Sequence, residues 1–269
     1  MLRIGAFALY FTVIFSFCVS LPTGELRFML ISEDQELQIG LDAFDEILDK
    51  EIISTNRRLK RILRRVGRRI VRHAHKPNVR YDWEFKLFDS GAVNAFCLPG
   101  GKVGFHEGIL RVCQNEAGLA AVMGHEISHA ISRHTGQRIS RQLAINYIIS
   151  YASVSFQDSE YHDILLYALG LGLHYGATLP FSREHELEAD ELGLLYMARA
   201  GYDPREAVRV WQRMDSLTRG ARKDEFISTH PHPKTRIKAM KEQMPEALKY
   251  YKKARRRYGL GADLVYYQQ

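Results

Sequence analysis

The sequence predicts an α+β fold that is mostly helical and includes a small antiparallel sheet. Residues Val79 to Leu87 alternate between apolar and charged side chains, which is typical of a half-buried strand. A second strand is predicted from Ala92 to Leu98; it turns at Pro99-Gly100-Gly101 and resumes from Lys102 to Phe105. From Glu116 to about residue 257, apolar residues recur at helical spacing, so helices account for the rest of the chain.

The composition is that of a globular protein. Of the 269 residues, 46% are hydrophobic and 26% are charged, which excludes a disordered, a collagen-like and a polytopic membrane protein. The net charge of +7 is local, because Arg57 to Lys76 contains ten Lys and Arg residues and no acid. No repeat or linker divides residues 22–269, so they are predicted to form one domain that ends in a basic segment.

Residues 1–21 are predicted to be a signal peptide or a membrane anchor. A basic start precedes an apolar run from Ile4 to Leu21 that closes at Pro22-Thr23-Gly24, as in an export signal. As a helix this run would extend roughly 27 Å, so a retained anchor also fits. Lipid attachment at Cys18 is a further alternative, although Phe17 stands where bacterial lipoproteins have a small residue. We therefore expect an exported protein of the periplasm or cell envelope.

Two helices are predicted before the first strand. Ser32 and Gln35 form a capping-box pattern at the start of the first helix. The second covers Arg57 to Val71, where an apolar stripe lies opposite the arginines. Its basic face is either solvated or attracted to anionic lipid, so contact with a membrane surface is left open. No nucleic-acid motif accompanies the charge, and no nucleic-acid partner is expected.

Three later segments are assigned by their apolar content. Tyr147 to Ser155 and Ile164 to Leu173 are too short to span a bilayer and are predicted to be buried packing helices. The glycines Gly170, Gly172 and Gly176 would allow close contact there. Lys249 to Arg257 is predicted to be a surface helix.

A metal site is predicted at His125-Glu126-Ile127-Ser128-His129, which matches H-E-x-x-H. It lies in a helix with Asn115 as the predicted N-cap. Two histidines four residues apart project from one helix face, so both imidazoles can reach one Zn²⁺ at about 2.0–2.1 Å. Glu126 can then act on a bound water as general base. The pattern is short enough to occur by chance, and catalytic zinc usually takes a third protein ligand.

The third ligand is not expected from the same helix. One class of zinc enzymes uses H-x-x-G-x-x-H, but Ser132 and Thr135 occupy the glycine and histidine positions here, which excludes that class. His134 lies roughly 180° around the helix from His125 at 100° per residue. It is therefore predicted to be a structural or surface histidine.

Glu186 on a later helix is the predicted third ligand. Glu186 and Asp190 are four residues apart and share a face with Gly193 and, at its edge, Ala189. These small residues would let the helix press against the H-E-x-x-H helix. Asp190 is predicted to orient His129 by accepting its second ring N–H. The other carboxylates of this helix are predicted to be solvated: Glu184, Glu188 and Glu191.

H-E-x-x-H followed by E-x-x-A-D resembles the M48 peptidases. Two further segments are similar to motifs of that family: V-N-A-F-x-x-P-G-G from Val93 to Gly101, and T-H-P from Thr229 to Pro231 with a later Arg236. Pro22-Thr23-Gly24 and the segment from Ser32 to Gly40 are similar to the opening of its bacterial periplasmic branch. The resemblance implies a gluzincin-type metalloprotease domain that holds one Zn²⁺ per chain.

The resemblance also implies a zinc metalloendopeptidase in which His125, His129 and Glu186 hold the metal and Glu126 is the general base. An extended substrate would pair with an exposed strand by backbone hydrogen bonds. The residues of that strand are Val93, Asn94, Ala95 and Phe96. Such pairing reads little sequence, so unfolded or misassembled envelope proteins are the expected substrates.

Three questions stay open at this point. His230 could stabilise the oxyanion, cap the zinc as a fourth ligand, or be structural. A zinc-bearing chaperone or scaffold for envelope proteins is an alternative to the protease, although the presence of Glu126 favours hydrolysis. Cys97 and Cys113 could form a disulfide or remain free.

Overall fold

The computed structural model describes residues 18–20, 26–74, 81–174, 178–217, 230 and 233–265. Its strands are β1 (Cys18–Ser20), β2 (Leu26–Phe28), β3 (Glu84–Phe88), β4 (Ala95–Leu98) and β5 (Lys102–His106). Its helices are α1 (Glu33–Lys50), α2 (Arg57–Val71), α3 (Leu110–Cys113), α4 (Glu116–Ile131), α5 (His134–Ser155), α6 (His162–Leu173), α7 (Leu179–Arg199), α8 (Arg205–Leu217) and α9 (Pro233–Lys253). The predicted α+β, mostly helical class is confirmed.

The larger sheet is mixed, whereas the sequence predicted antiparallel strands. Its order is β3-β5-β4, with β5 antiparallel to β4 and parallel to β3. The predicted turn joins β4 to β5, and Gly100 and Gly101 there have φ angles of 85° and 84°, which favour glycine. Residues 89–94 carry the chain past the position of β5 before β4 begins, so the hairpin brings β5 back between its two neighbours.

Helix α4 lies at the centre of the molecule, and every one of its residues is buried. Asn115 caps it as predicted, because its side chain accepts a hydrogen bond from the Gly118 N–H. Helix α7 packs closely on α4 through glycine, since a Cβ on Gly193 would lie 2.7 Å from the backbone N of His125. This contact confirms the predicted approach of the two helices. It brings the carboxylates of α7 to the histidines of α4.

Helices α1 and α2 begin as predicted, but the basic face of α2 is not only solvated. Ser32 and Gln35 form the capping box of α1. In α2, the Arg65 guanidinium donates to Glu116 at 2.5 Å, and that carboxylate is 6% exposed. Arg69 donates to the Tyr202 hydroxyl at 2.7 Å. Two arginines of α2 therefore attach it to α4 and to the chain after α7.

The prediction that the two apolar segments after α4 are buried is wrong. Helices α5 and α6 form a hairpin in which Tyr147 is 74% exposed, Tyr151 69% and Tyr167 71%. A Cβ on Gly170 or Gly172 would meet nothing within 4 Å, so these glycines permit no close contact; Gly176 lies outside the described residues. An apolar sequence excludes water only where another element covers it, and α6 packs chiefly on α5.

The N-terminal region is described only in part. Strand β1 pairs antiparallel with β2, and the Leu30 N–H donates to the Ser140 hydroxyl of α5 at 2.8 Å. Residues 1–17 and 21–25 lie outside the described residues, so the signal peptide, the anchor and the lipid at Cys18 stay predictions. Within the described residues, no helix is long and apolar enough to cross a membrane.

Three remaining predictions have definite outcomes. The predicted first strand forms as β3 from Glu84; residues 79 and 80 lie outside the described part of the chain. The predicted basic surface helix is the end of α9, which stops at Lys253. Cys97 and Cys113 are both free and buried, and burial raises the pKa of the Cys113 thiol to about 12, so it stays protonated.

Candidate metal centre

Four side chains converge on one point between α4, α7 and the segment before α9. They are His125 and His129 of α4, Glu186 of α7, and His230. His125 Nε2 lies 3.1 Å from His129 Nε2 and 3.4 Å from Glu186 Oε2. His129 Nε2 lies 3.4 Å from Glu186 Oε1. The structure thus brings together the three predicted metal ligands.

The chemistry and spacing of these donors fit a zinc ion. Two imidazoles and a carboxylate are the ligand set of many catalytic zinc sites, and tetrahedral bonds of about 2.1 Å place ligand atoms about 3.4 Å apart. Burial lowers the pKa of His129 well below its usual range, so its ring is neutral, which is the metal-binding form. Burial alone would raise the pKa of Glu186, but His230 and Arg236 outweigh it and keep the group a carboxylate.

Glu126 points into the same centre. Its side chain is buried, and its Oε1 atom has no hydrogen-bond donor among the described residues. His230 lies beside it, with Nε2 3.5 Å from Oε1. Burial raises the pKa of the Glu126 carboxyl. A buried carboxylate oxygen without a donor is suited to accept a proton from a water at the centre.

Asp190 lies behind His125, not behind His129 as predicted. Asp190 Oδ1 is 2.9 Å from His125 Nδ1. The Arg236 guanidinium, 1% exposed, donates to both oxygens of Asp190 at 2.6 Å. Arg236 also lies 2.9 Å from Glu186 Oε2 and stacks on the Trp211 ring, with Cζ 3.5 Å from the centroid. Asp190 still lies next to a predicted metal ligand, but it contacts the other histidine, because the rotation of α7 on α4 places it there.

The outer nitrogen of His129 meets His134 instead. The two Nδ1 atoms are 2.8 Å apart, and His134 is 1% exposed. The helical count that placed His134 on the far side fails, because α4 ends at Ile131 and Arg133 takes a left-handed conformation with φ of 55°. His134 is therefore buried beside the ligands and is not a surface histidine.

His230 occupies the fourth corner of the cluster. Its Nδ1 lies 3.1 Å from His125 Nε2 and 3.0 Å from Glu186 Oε2. It is the described residue of the T-H-P element; Thr229 and Pro231 lie outside the described residues. The arrangement places a nitrogen where a fourth ligand atom would lie. Of the three roles considered for His230, the position fits a metal cap best.

The predicted substrate strand borders the centre. Strand β4 is at the edge of the three-stranded sheet and packs against α4. It starts at Ala95, so Val93 and Asn94 precede it. The side chains of Val93 and Ala95 are buried, while those of Asn94 and Phe96 are half-buried. An edge strand packed against the helix of the two histidines has the geometry needed to pair with an extended peptide.

The contacts of two residues that surround the predicted ligands were not predicted from the sequence. Arg236 was noted only as part of a motif, and nothing in its spacing showed that it would join Glu186 to Asp190. Glu188 was expected in solvent, but it accepts a hydrogen bond from the Ser132 hydroxyl at 2.8 Å and lies 3.4 Å from His134 Nε2. The available sequence signal for the Glu188 contact was His134, three residues after the end of α4.

Comparison with known proteins matches the chain to a peptidase family. A family profile described as "Peptidase family M48" matches residues 54–244. Mitochondrial metalloendopeptidase OMA1 of Schizosaccharomyces pombe is 36% identical over 82% of this chain and 64% of its own length. OMA1 of Saccharomyces cerevisiae is 31% identical over 85% of this chain and 69% of its own length. The β-barrel assembly-enhancing protease of Escherichia coli is 27% identical over 77% of this chain and 43% of its own length. The chain thus spans between two fifths and about two thirds of these relatives.

Proposed function

The chain belongs to peptidase family M48, and from that membership we propose that it is a zinc metalloendopeptidase that cleaves unfolded or misassembled cell-envelope proteins. The observation that supports this most is the buried cluster of His125, His129 and Glu186 with Glu126 beside it. The test is cleavage of an unfolded protein such as casein by the chain, with zinc measured on the same sample. The zinc-bearing scaffold remains the alternative, and Glu126→Gln separates the two.

In this mechanism His125, His129 and Glu186 would hold one Zn²⁺. When bound, the ion supplies a Lewis acid that polarises the scissile carbonyl and lowers the pKa of a water toward about 7. Glu126 takes the proton of the attacking water on its oxygen and passes it to the leaving amine. Asp190, held by Arg236, fixes the ring of His125. The edge strand β4 aligns an extended substrate by backbone hydrogen bonds.

Selection for unfolded chains follows from the proposed substrate strand. Pairing through the backbone needs an extended segment with free N–H and C=O groups, which a folded protein offers only at exposed strand edges. The envelope location rests on the apolar N-terminal run, and the name of the Escherichia coli relative, a β-barrel assembly-enhancing protease, supports it.

We expect His230→Ala to raise the basal rate of peptide cleavage. His230 Nδ1 lies 3.0–3.1 Å from two ligand atoms, where it would close the metal position that water and substrate need. The measurement is the initial rate of casein cleavage at matched zinc content. A large loss of rate in a folded, zinc-loaded variant would instead assign His230 to oxyanion binding. An unchanged rate would exclude both roles.

A further inference from the structure

We propose that His134 and Glu188 form a hydrogen-bonded relay that fixes the ring of His129 for zinc binding. His134 is then a positioning residue, since it acts on the metal through His129. The inference rests on the proposed zinc site and adds two residues to it. Neither residue belongs to the motifs that identify the family resemblance.

The contacts form a continuous line from the centre to the surface of α7. His134 Nδ1 lies 2.8 Å from His129 Nδ1, and His134 Nε2 lies 3.4 Å from Glu188 Oε2. The other oxygen of Glu188 accepts a hydrogen bond from Ser132 at 2.8 Å, and Arg27 lies 3.6 Å from Oε2. The carboxylate is thereby held in place. Each N–H in this line can therefore face an acceptor: that of His129 faces His134, and that of His134 faces Glu188.

The proton positions follow from metal binding. A neutral histidine that binds zinc through Nε2 carries its hydrogen on Nδ1, so His129 donates to His134 Nδ1. His134 must then carry its own hydrogen on Nε2, which faces Glu188. His125 differs, because its Nδ1 faces the carboxylate of Asp190 directly, at 2.9 Å. Asp190 thus orients His125 directly, whereas Glu188 orients His129 through the imidazole of His134.

The decisive measurement is zinc affinity, by competition with a chromophoric chelator, on the full chain. We expect His134→Phe to weaken zinc binding about 10–100-fold, the usual loss when an outer partner of a ligand is removed. His134→Asn should recover most of the affinity, because the Asn carbonyl oxygen can accept the same N–H from near the position of Nδ1. His185→Phe is the matched control, since that ring is equally buried and stacks on His134 at 3.9 Å. It should leave zinc affinity unchanged.

Coupling separates the relay from a packing role. Glu188→Gln should weaken zinc binding in the wild-type chain but have no added effect in His134→Phe, because its influence passes through His134. Equal effects of Glu188→Gln in both backgrounds, or no loss in His134→Phe, would overturn the relay. If His134→Phe does not fold, comparing Glu188→Gln with His185→Phe decides the question, and equal affinities would refute the relay. Failure of the wild-type chain to bind zinc would refute the proposed function instead.

A second inference concerns the exposed apolar face of the hairpin α5–α6. We infer that this face lies against a lipid bilayer. Its main residues are Leu143, Tyr147, Tyr151, Val154, Ile164 and Tyr167, which are 46–74% exposed. The four on α5 recur every three or four residues and form one stripe. An exposed apolar stripe of this kind marks an interaction site.

The N-terminal run points to lipid as the occupant. The mainly apolar run from Ile4 to Leu21 includes β1 near its end, and β1 pairs with β2, which packs against α5. The bond from Leu30 to Ser140 fixes that junction at the base of the hairpin. A segment that enters a membrane there would bring the hairpin to the same surface. Tyrosine suits that depth, because its ring is apolar and its hydroxyl stays hydrated.

The hairpin would lie along the surface rather than enter it tip first. Its turn carries the exposed acids Asp158 and Glu160, and Asp163 follows at the start of α6. Burying these charges in hydrocarbon would be costly. Neither helix of the hairpin is long and apolar enough to cross a membrane. An amphipathic hairpin in the plane of the interface satisfies both observations.

Site-specific labelling of the full chain tests this orientation. An environment-sensitive fluorophore at Tyr151→Cys, in a Cys18→Ser background, should shift to the blue and be quenched by lipid-attached quenchers in phosphatidylcholine–phosphatidylglycerol vesicles. The matched control is Asn146→Cys, an exposed polar position on the same helix about 140° away from Tyr151. Its label should change at least several-fold less.

The other outcomes overturn the inference. Equal responses at the two positions would mean that the protein binds the vesicles but that this face does not contact the lipid. A blue shift at Tyr151→Cys that depends on protein concentration and needs no lipid would assign the face to a second copy of the chain. No response at either position in vesicle-bound protein would leave the hairpin in water.

Discussion

Glu126→Gln should abolish cleavage of an unfolded protein while the chain keeps its zinc. The amide has nearly the shape of the carboxylate but cannot take a proton from water, so the rate should fall by about 100-fold or more. Glu126 is not among the clustered ligand atoms, so metal binding should persist. The measurement is the initial rate of casein cleavage, with the zinc content of both proteins determined on the same samples.

The matched control for this prediction is Glu116→Gln. It makes the same change in the same helix at a similarly buried site, but that carboxylate pairs with Arg65 and Arg69 and lies away from the cluster. It should retain cleavage. Undiminished cleavage by Glu126→Gln would place the base elsewhere. Zinc without cleavage in the wild-type chain would leave a capped protease or the scaffold, and His230→Ala would then decide between them.

Arg236→Met should destabilise the metal-free protein by about 3–5 kcal/mol, the cost of leaving a buried partner charge uncompensated. Asp190 and Glu186 are 4% and 2% exposed, and both contact this guanidinium. Burial would raise the pKa of Asp190, but Arg236 outweighs it and holds that pKa below its usual value. Without Arg236, folding must bury a bare carboxylate or protonate it. Urea unfolding of the metal-free chain measures the free energy.

Arg205→Met provides the comparison on the same chain. Arg205 forms an ion pair with Asp203, but its side chain is 59% exposed, so water replaces the lost contact. Its loss should lower the free energy of unfolding by no more than about 1 kcal/mol. In the double variant Asp190→Asn with Arg236→Met, the loss should be smaller than the sum of the single losses, because one carboxylate no longer needs a counter-charge. Equal effects of Arg236→Met and Arg205→Met would show that the buried network contributes little.

The features that the sequence predicted correctly are those that depend on local periodicity. Histidines four residues apart share a helix face whatever the surroundings, so the H-E-x-x-H spacing was enough to pair His125 with His129. The caps Ser32 and Asn115 bond to the N–H groups of their own helices, and they were found for the same reason. Gly193 indicated where α7 contacts α4, because a residue without a side chain on the face of Glu186 lets another helix approach closely.

The prediction of buried helices was wrong because burial was inferred from apolar sequence alone. Helix α6 is as apolar as the buried helix α4, and pattern alone does not show which surface covers it. The sheet was predicted antiparallel because only its hairpin turn is visible in the sequence. Whether β3 lies beside β4 or β5 depends on where residues 89–94 cross, which the turn does not specify.

The sequence by itself determined the members of the proposed metal centre: two histidines and the proposed general base on one helix, and a carboxylate on another. Only the tertiary structure decided which neighbouring side chain contacts the outer nitrogen of each of these histidines. A left-handed turn at Arg133 returns His134 to His129, and the rotation of α7 on α4 gives Asp190 to His125. The physical reason is that a hydrogen bond between helices depends on their relative rotation and on the turns that end them. Neither quantity is contained in the spacing of residues along one helix.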